Sequence, residues 1–194
     1  MLNSVNILDR TFEEFMTLFL CEIANDKDYY VVIAYHLVKG YRPQLESMLH
    51  LLSTKRMRGA ICAIGLVGSP ASDELVQGYL DHPEPQVVAE SLDSLRLTGV
   101  VKWERISHFL VHASPFVRGA ALRFARTKLG KDALSLLLAA LNDVDEIVRQ
   151  NAIDELDGIA DQSHIPLLAP FLQDPSVHVR QAAETLIASI GGNS

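Results

Sequence analysis

The sequence predicts an all-α fold, an α-α superhelix or solenoid of about six two-helix repeats. Three observations carry that expectation. A six-residue pattern, ending in most copies in Val-Arg, returns along the chain. Its copies are Ser53-Thr-Lys-Arg-Met-Arg58, Pro83-Glu-Pro-Gln-Val-Val88, Ala113-Ser-Pro-Phe-Val-Arg118, Val144-Asp-Glu-Ile-Val-Arg149 and Pro175-Ser-Val-His-Val-Arg180. Each copy is followed by a stretch of small and apolar residues, such as Gly59-Ala-Ile-Cys-Ala-Ile-Gly-Leu-Val-Gly68, and preceded by an apolar run, such as Leu134-Ser-Leu-Leu-Leu-Ala-Ala-Leu141. The copies end at Arg58, Val88, Arg118, Arg149 and Arg180, and a steady period of this length marks stacked supersecondary units.

Taken in order, residues 1–41 form a divergent N-terminal hairpin, with a first helix over Thr11 to Ala24 and a second over Asp28 to Lys39. This hairpin is unusually aromatic, holding Phe12, Phe15, Phe19, Tyr29, Tyr30, Tyr35 and Tyr41. Two readings stand for it. One is a cap packed on the second repeat. The other is a partner surface or a homodimer contact, since exposed aromatic patches mark interfaces. Positions 42–194 supply the five regular repeats, and 1–194 reads as a single repeat domain.

Within each repeat, helix A is short and apolar. A turn rich in Asp, Pro and Ser follows and offers a side-chain cap for helix B. Pro83, Pro115 and Pro175 fall at or near the start of helix B, where a missing N–H costs little. Small residues on helix B let neighbouring helices approach, and Gly or a polar residue ends it. One such hairpin cannot bury both faces, so the repeats must stack.

The bulk properties fit a chain with one shared core. Of its 194 residues 48% are hydrophobic, too many for disorder, and the formal charge is −7. No stretch approaches ~18 uninterrupted apolar residues, so no membrane span is expected. The apolar stretch Phe15 to Leu20 follows Glu13 and Glu14 rather than basic residues, unlike a signal peptide. Two cysteines, Cys21 and Cys62, sit in apolar helical patterns and read as small core residues of a cytoplasmic protein. The acidic balance argues against nucleic-acid binding.

The repeats resemble the HEAT family, and in particular the short HEAT-like repeats also found in phycobilin lyases. Asp174-Pro175, Val179-Arg180-Gln-Ala182-Ala183 follows the family pattern most fully, Asp143, Val148-Arg149 and Ala152 follow it well, and Val117-Arg118-Gly-Ala120-Ala121 follows it from the valine onward. Val88 departs from it, standing where arginine is expected. The resemblance implies a structural ladder in which Arg118, Arg149 and Arg180 lie along the interior and bond aspartates, here Asp143 and Asp174, and loop carbonyls of their own and the next repeat. Spacing supports this separately. Arg118 shares a helical face with Leu122, Ala125 and Leu129, so it points inward, and a charge there needs a partner.

Residues five and eight beyond the ladder position are expected to face outward and to floor a concave groove. They are Ala63 and Leu66, Asp93 and Arg96, Arg123 and Arg126, Asp154 and Asp157, and Thr185 and Ala188. Charge divides sharply here. Residues 102–131 hold seven basic and one acidic residue, net +6, whereas 132–161 hold one basic and eight acidic, net −7. Arg123 lies in register with Asp154, and Arg126 with Asp157, about 10 Å apart between stacked helices. These residues either pair between repeats, or grip a charged segment of a partner, with Arg123, Arg126 and Lys128 suited to an acidic one.

Catalytic and metal motifs are sparse. His108 and His112 stand four apart on an expected A helix, with His82 at the position matching His112, but repeated turn positions lie too far apart for one ion. No His-Glu-x-x-His, nucleophile elbow, P-loop or Gly-rich dinucleotide turn is present. Gly65 and Gly68 read as close packing at a helix end. Trp103 opens the fourth A helix and reads as a staple between repeats. The expected function is a non-enzymatic adaptor or scaffold that binds another protein, without a cofactor or metal, through the B-helix groove or the aromatic hairpin. The family resemblance adds an alternative, a phycobilin-lyase-like subunit or cofactor chaperone, for which the groove row offers no histidine and no free cysteine.

Overall fold

The computed structural model describes residues 11–20, 27–68 and 70–192, and among them every regular element is helical. The chain groups into two compact units, Met1–Val101 and Lys102–Ser194.

In the first unit, helix α1 (Phe12–Leu20) precedes α2 (Lys27–Met48). Helix α2 is two helices in line, broken at Tyr41, whose backbone leaves the helical region (φ −139°, ψ 34°) two residues before Pro43. Proline lacks an N–H and clashes with the preceding turn, so the ladder of helical bonds is interrupted there. The kink lies at the border expected between the divergent hairpin and the next repeat. Phe12 packs on Tyr41 with ring centroids 5.6 Å apart, and the Lys39 ammonium sits 4.8 Å above the Tyr35 ring. The side chains of Phe15, Phe19, Tyr29 and Tyr30, and Cys21 altogether, lie outside the described residues.

Helix α3 (Thr54–Val67) packs between α2 and α5 (Pro85–Thr98), with α4 (Pro70–Gln77) and a 3-10 turn, Gly78–Asp81, preceding α5. Gly65 and Gly68 have different roles. A Cβ on Gly65 would lie 2.7 Å from the Ser94 Cα, so the bare glycine sets how closely α3 and α5 approach. Gly68 meets nothing closer than 3.8 Å. It stops α3 by adopting φ 62°, and its N–H reaches the Ile64 carbonyl at 2.9 Å. Cys62 contributes a half-buried thiol to α3. Ala63 was expected in the groove row but is fully buried, because α3 is covered on both sides by α2 and α5.

The second unit runs through two 3-10 turns (Trp103–Arg105 and Ser107–Val111), α6 (Pro115–Leu129), α7 (Leu134–Ala140), α8 (Glu146–Glu155), α9 (Ile165–Leu168), a 3-10 turn (Ala169–Gln173) and α10 (Val177–Gly192). The B positions are α-helices. The A positions are largely 3-10, against expectation. In the last repeat Pro170 supplies no N–H for an α-helical bond, so the segment tightens after one turn. His108 therefore lies in a 3-10 turn and His112 just beyond it, so the two do not share an α-helical face. Trp103 opens a 3-10 turn too, and its ring stacks on Phe124 of its own repeat, with centroids 6.5 Å apart. One apolar core runs through this unit, joining Leu122, Leu137, Val148, Ile153, Leu156, Leu168, Val179 and Leu186.

Replacing Gly65 with alanine drives a methyl group against backbone rather than a movable side chain. The expected loss is about 1–3 kcal/mol of unfolding free energy in chemical denaturation. Gly78→Ala, where a Cβ meets nothing within 4 Å, serves as the neutral control.

Candidate functional site

The arginines singled out by the six-residue spacing form a repeated contact. The Arg118 guanidinium donates from Nη1 to the carbonyls of His112 (2.8 Å) and Ala113 (3.0 Å) in its own turn. Its other edge, Nε and Nη2, grips both oxygens of Asp143 in the next repeat at 2.8 and 2.7 Å. Arg149 repeats this. Nη1 reaches the Asp143 and Val144 carbonyls at 2.9 and 3.1 Å, and Nε and Nη2 reach Asp174 at 2.8 and 2.9 Å. Arg180 makes only the first half, to the carbonyls of Asp174 (2.7 Å) and Pro175 (3.1 Å). Each aspartate also accepts a backbone N–H two residues on, Asp145 to Asp143 and Ser176 to Asp174, both at 2.9 Å. That bond closes the turn that starts helix B.

The electrostatics obey this geometry. The bond to Asp143 raises the Arg118 pKa, and the bond to Asp174 raises that of Arg149, each against burial. Burial pushes Asp143 upward, but its bonds to Arg118 and the Asp145 N–H prevail and hold it below the usual carboxylate range. Asp174 is lowered by Arg149 first, against burial, with help from the Ser176 N–H.

His112 and His82 occupy the turn position that Asp143 and Asp174 hold further on. Nδ1 of His112 accepts the Ser114 N–H at 3.0 Å, and Nδ1 of His82 accepts the Glu84 N–H at 3.1 Å. These histidines replace the aspartate as turn acceptors, which accounts for their recurrence. Among the described residues no group of three or more His, Cys, Asp or Glu side chains could hold an ion. A neutral imidazole cannot replace the carboxylate as a salt-bridge partner, and the arginine one repeat before His82 bonds elsewhere. Arg58 donates to Gln86 Oε1 at 2.9 Å and lies 3.6 Å from Glu90.

The row of charges on the B helices is largely engaged within the chain. Arg96 and Asp93 pair with each other on α5 at 3.5 Å. Arg126 was expected to meet the carboxylate of Asp157. It donates instead to the carbonyls of Glu155 (3.1 Å) and Asp157 (3.3 Å). Helix α8 ends at Glu155, so its last carbonyls are open and carry the negative end of the helix dipole, which a cation from α6 satisfies. Arg123 was expected opposite Asp154, but it donates to Asn151 Oδ1, one turn earlier, while Asn151 Nδ2 donates to the Ile147 carbonyl at 2.7 Å. Lys128 lies over the Phe124 ring at 5.6 Å.

That leaves Asp154 and Asp157 facing outward. They line a concavity of about 440 Å³ with Gln150, His178, Gln181 and Thr185 between α8 and α10. It meets a second concavity, of about 590 Å³, at Asp157 and Ser189, and that one extends to Asp161, Gln162 and Ser163. The Ser189 hydroxyl donates to Asp157 at 3.4 Å. Although exposed, Asp154 is pushed above its ordinary pKa by partial desolvation, against a bond from Gln150. The sequence pattern did not single out Asn151, Gln150, Gln181 or Ser189. The repeated Arg-Gln at 149–150 and 180–181 was a signal for two of them. Asn151 stands where the neighbouring repeats have Ala120 and Ala182, and Gly119 clears space beside its amide.

Stacked helix pairs joined by an arginine that holds its own turn and the next define a solenoid repeat protein. Residues 134–194 match the family model described as HEAT repeats. HEAT repeats generally mediate protein–protein interaction or scaffolding and are generally non-enzymatic. The match is to HEAT repeats at large, not to the phycobilin-lyase subclass. The crystal structure of an engineered protein shares 14% identity at a TM-score of 0.48, covering 94% of this chain and 97% of that one. No curated protein matches the chain. Among the described residues, no helix is long and apolar enough to cross a membrane.

The rungs differ in what they hold, and substitution reads this out. Arg149→Ala orphans a buried carboxylate and is expected to cost about 2–4 kcal/mol in chemical denaturation, whereas Arg180→Ala, losing two carbonyl bonds, costs about half as much. Acid gives a second check. Asp143 and Asp174 have lowered pKa values, so their contribution is complete above the ordinary carboxylate value of 3.8 and is lost as pH falls from there through their folded values. Denaturation midpoints measured across that window should fall more steeply for the wild type than for Asp143→Asn.

Proposed function

We propose that this protein is a non-enzymatic adaptor or scaffold of a reducing compartment, and that a partner protein sits on the B-helix face between α8 and α10. The observation that carries the reading is the pair of joined concavities meeting at Asp157 and Ser189, wide enough for a peptide segment and lined by side chains that can exchange hydrogen bonds. Arg126 is occupied by the end of α8, and Arg123 already donates to Asn151. The basic residues therefore support the stacking of repeats, and the acidic pair Asp154 and Asp157 addresses the partner. A negatively charged floor favours a segment rich in Lys or Arg, steered by complementary potential. No cofactor is needed for this role. The aromatic first hairpin is the remaining candidate surface.

Asp154→Lys/Asp157→Lys tests the reading. Both side chains are exposed, so the melting temperature is expected to stay near that of the wild type. Proteins retained from native lysate by the wild type should be lost by this variant, as identified by mass spectrometry of the two eluates. Retention of the same set by both would place the binding surface elsewhere. Arg126→Glu, by contrast, is expected to lower stability by about 1–2 kcal/mol, because it removes the cap on α8 and sets a like charge against it.

A further inference from the structure

We propose that the space between α8 and α10 takes arginine side chains of a partner protein, their guanidinium groups standing where Arg123 and Arg126 stand in the preceding space between α6 and α8. The inference rests on the α8–α10 face being the partner surface, and adds which side chain the partner brings. The template lies in the chain itself. Arg123 crosses from α6 to the Asn151 side chain on α8, and Arg126 crosses to the carbonyls of Glu155 and Asp157 at 3.1 and 3.3 Å. Two guanidinium arms therefore bridge that pair of B helices.

One repeat further on, the matching positions hold Asp154 and Asp157 in place of the two arginines, and Ala182 in place of Asn151. Two long cationic arms become two short carboxylates, and an amide becomes a methyl group. The concavity of about 440 Å³ lies where those arms would run. Its lining shows what suits it. Ile153 and Leu186 are buried and Ala182 is half-buried, together forming an apolar bed for a methylene stem. The polar groups around that bed turn acceptors toward solvent. The Thr185 hydroxyl donates to the Gln181 carbonyl at 2.9 Å and the Ser189 hydroxyl donates to Asp157 at 3.4 Å, so both oxygens remain to accept, as the two carboxylates do.

Acceptors around an apolar bed call for a donor-rich cation on a long aliphatic stem. Arginine carries more N–H donors than lysine, sets them in a planar fork, and is held less strongly by water. Asp154 and Asp157 are exposed and lie three apart on α8, so each carboxylate can grip one fork. Partial desolvation already pushes Asp154 above its ordinary pKa, and a guanidinium beside it favours the charged form again. The spacing of Arg123 and Arg126 on α6 sets the form of the ligand, two arginines three residues apart on a helix. A contact this short is expected to give a Kd on the order of 100 µM.

Fluorescence anisotropy tests this with a fluorescein-labelled, alanine-based helical peptide carrying two arginines three residues apart, beside the same peptide with lysines. The wild type is expected to bind the arginine peptide at least about ten-fold tighter than the lysine peptide. Asp154→Asn/Asp157→Asn, at exposed positions, should bind the arginine peptide about ten-fold more weakly. Ala182→Leu fills the apolar bed without a change of charge and should weaken it by about the same factor. Should Ala182→Leu fail to fold, the asparagine variant and the pair of peptides decide the matter. Equal binding of the two peptides overturns the inference, as does the absence of binding up to about 1 mM protein. So does either folded variant that binds the arginine peptide as the wild type does. Retention of every lysate partner by Asp154→Lys/Asp157→Lys overturns the surface and this inference with it, whereas loss of those partners with equal peptide binding overturns the arginine preference alone.

Discussion

Each two-helix unit has more apolar face than it can bury alone, and the fork of an arginine at a fixed place in helix B joins it to the next. The guanidinium divides its donors. Nη1 holds two carbonyls of the turn that precedes its own helix, and Nε with Nη2 holds the aspartate that starts the following turn. One side chain therefore sets the geometry inside a repeat and the distance to its neighbour. The aspartate is equally shared, since it also accepts the N–H that closes its own turn. Half-buried charges are tolerated here because the donors and acceptors of a complete rung satisfy one another.

The first unit lacks that aspartate and shows the consequence. Nδ1 of His82 preserves the turn bond but offers no anion, and Arg58 crosses to Gln86 and Glu90 on the next helix instead. Packing there relies on contact between helices at close range. Gly65 lies against the Ser94 backbone, and α3 is covered on two sides. Turn closure and repeat-to-repeat anchoring are thus separable tasks. Aspartate performs both, histidine only one.

The same division of labour shapes the exposed surface. Cations on α6 are drawn into stacking, Arg126 at the open carbonyls of α8 and Arg123 at Asn151. The Arg126 charge offsets the end of a helix rather than a row of carboxylates. Asp154 and Asp157 consequently face the concavities beside α10, where Gln150 bonds Asp154 and the Ser189 hydroxyl donates to Asp157.

The fold class was legible in one dimension. A regular period, apolar runs, turn residues and an arginine at a fixed offset are local features, and repetition makes each copy support the rest. The inward turn of Arg118 followed from helical spacing, since a charge on an apolar helical face needs a partner nearby, whereas Asp143 and Asp174 were named as partners through the resemblance of the repeats to a known family. The groove was legible only as a row of outward positions. Tertiary structure decided what those positions touch. Arg126 meets carbonyls because α8 stops at Glu155, Ala63 is buried because α3 is covered on both sides, and Trp103 stays within its own repeat by stacking on Phe124. Such outcomes depend on where neighbouring helices end and how closely they approach. Those lengths and distances are set by packing between side chains a full repeat apart in the chain, and no local pattern encodes them.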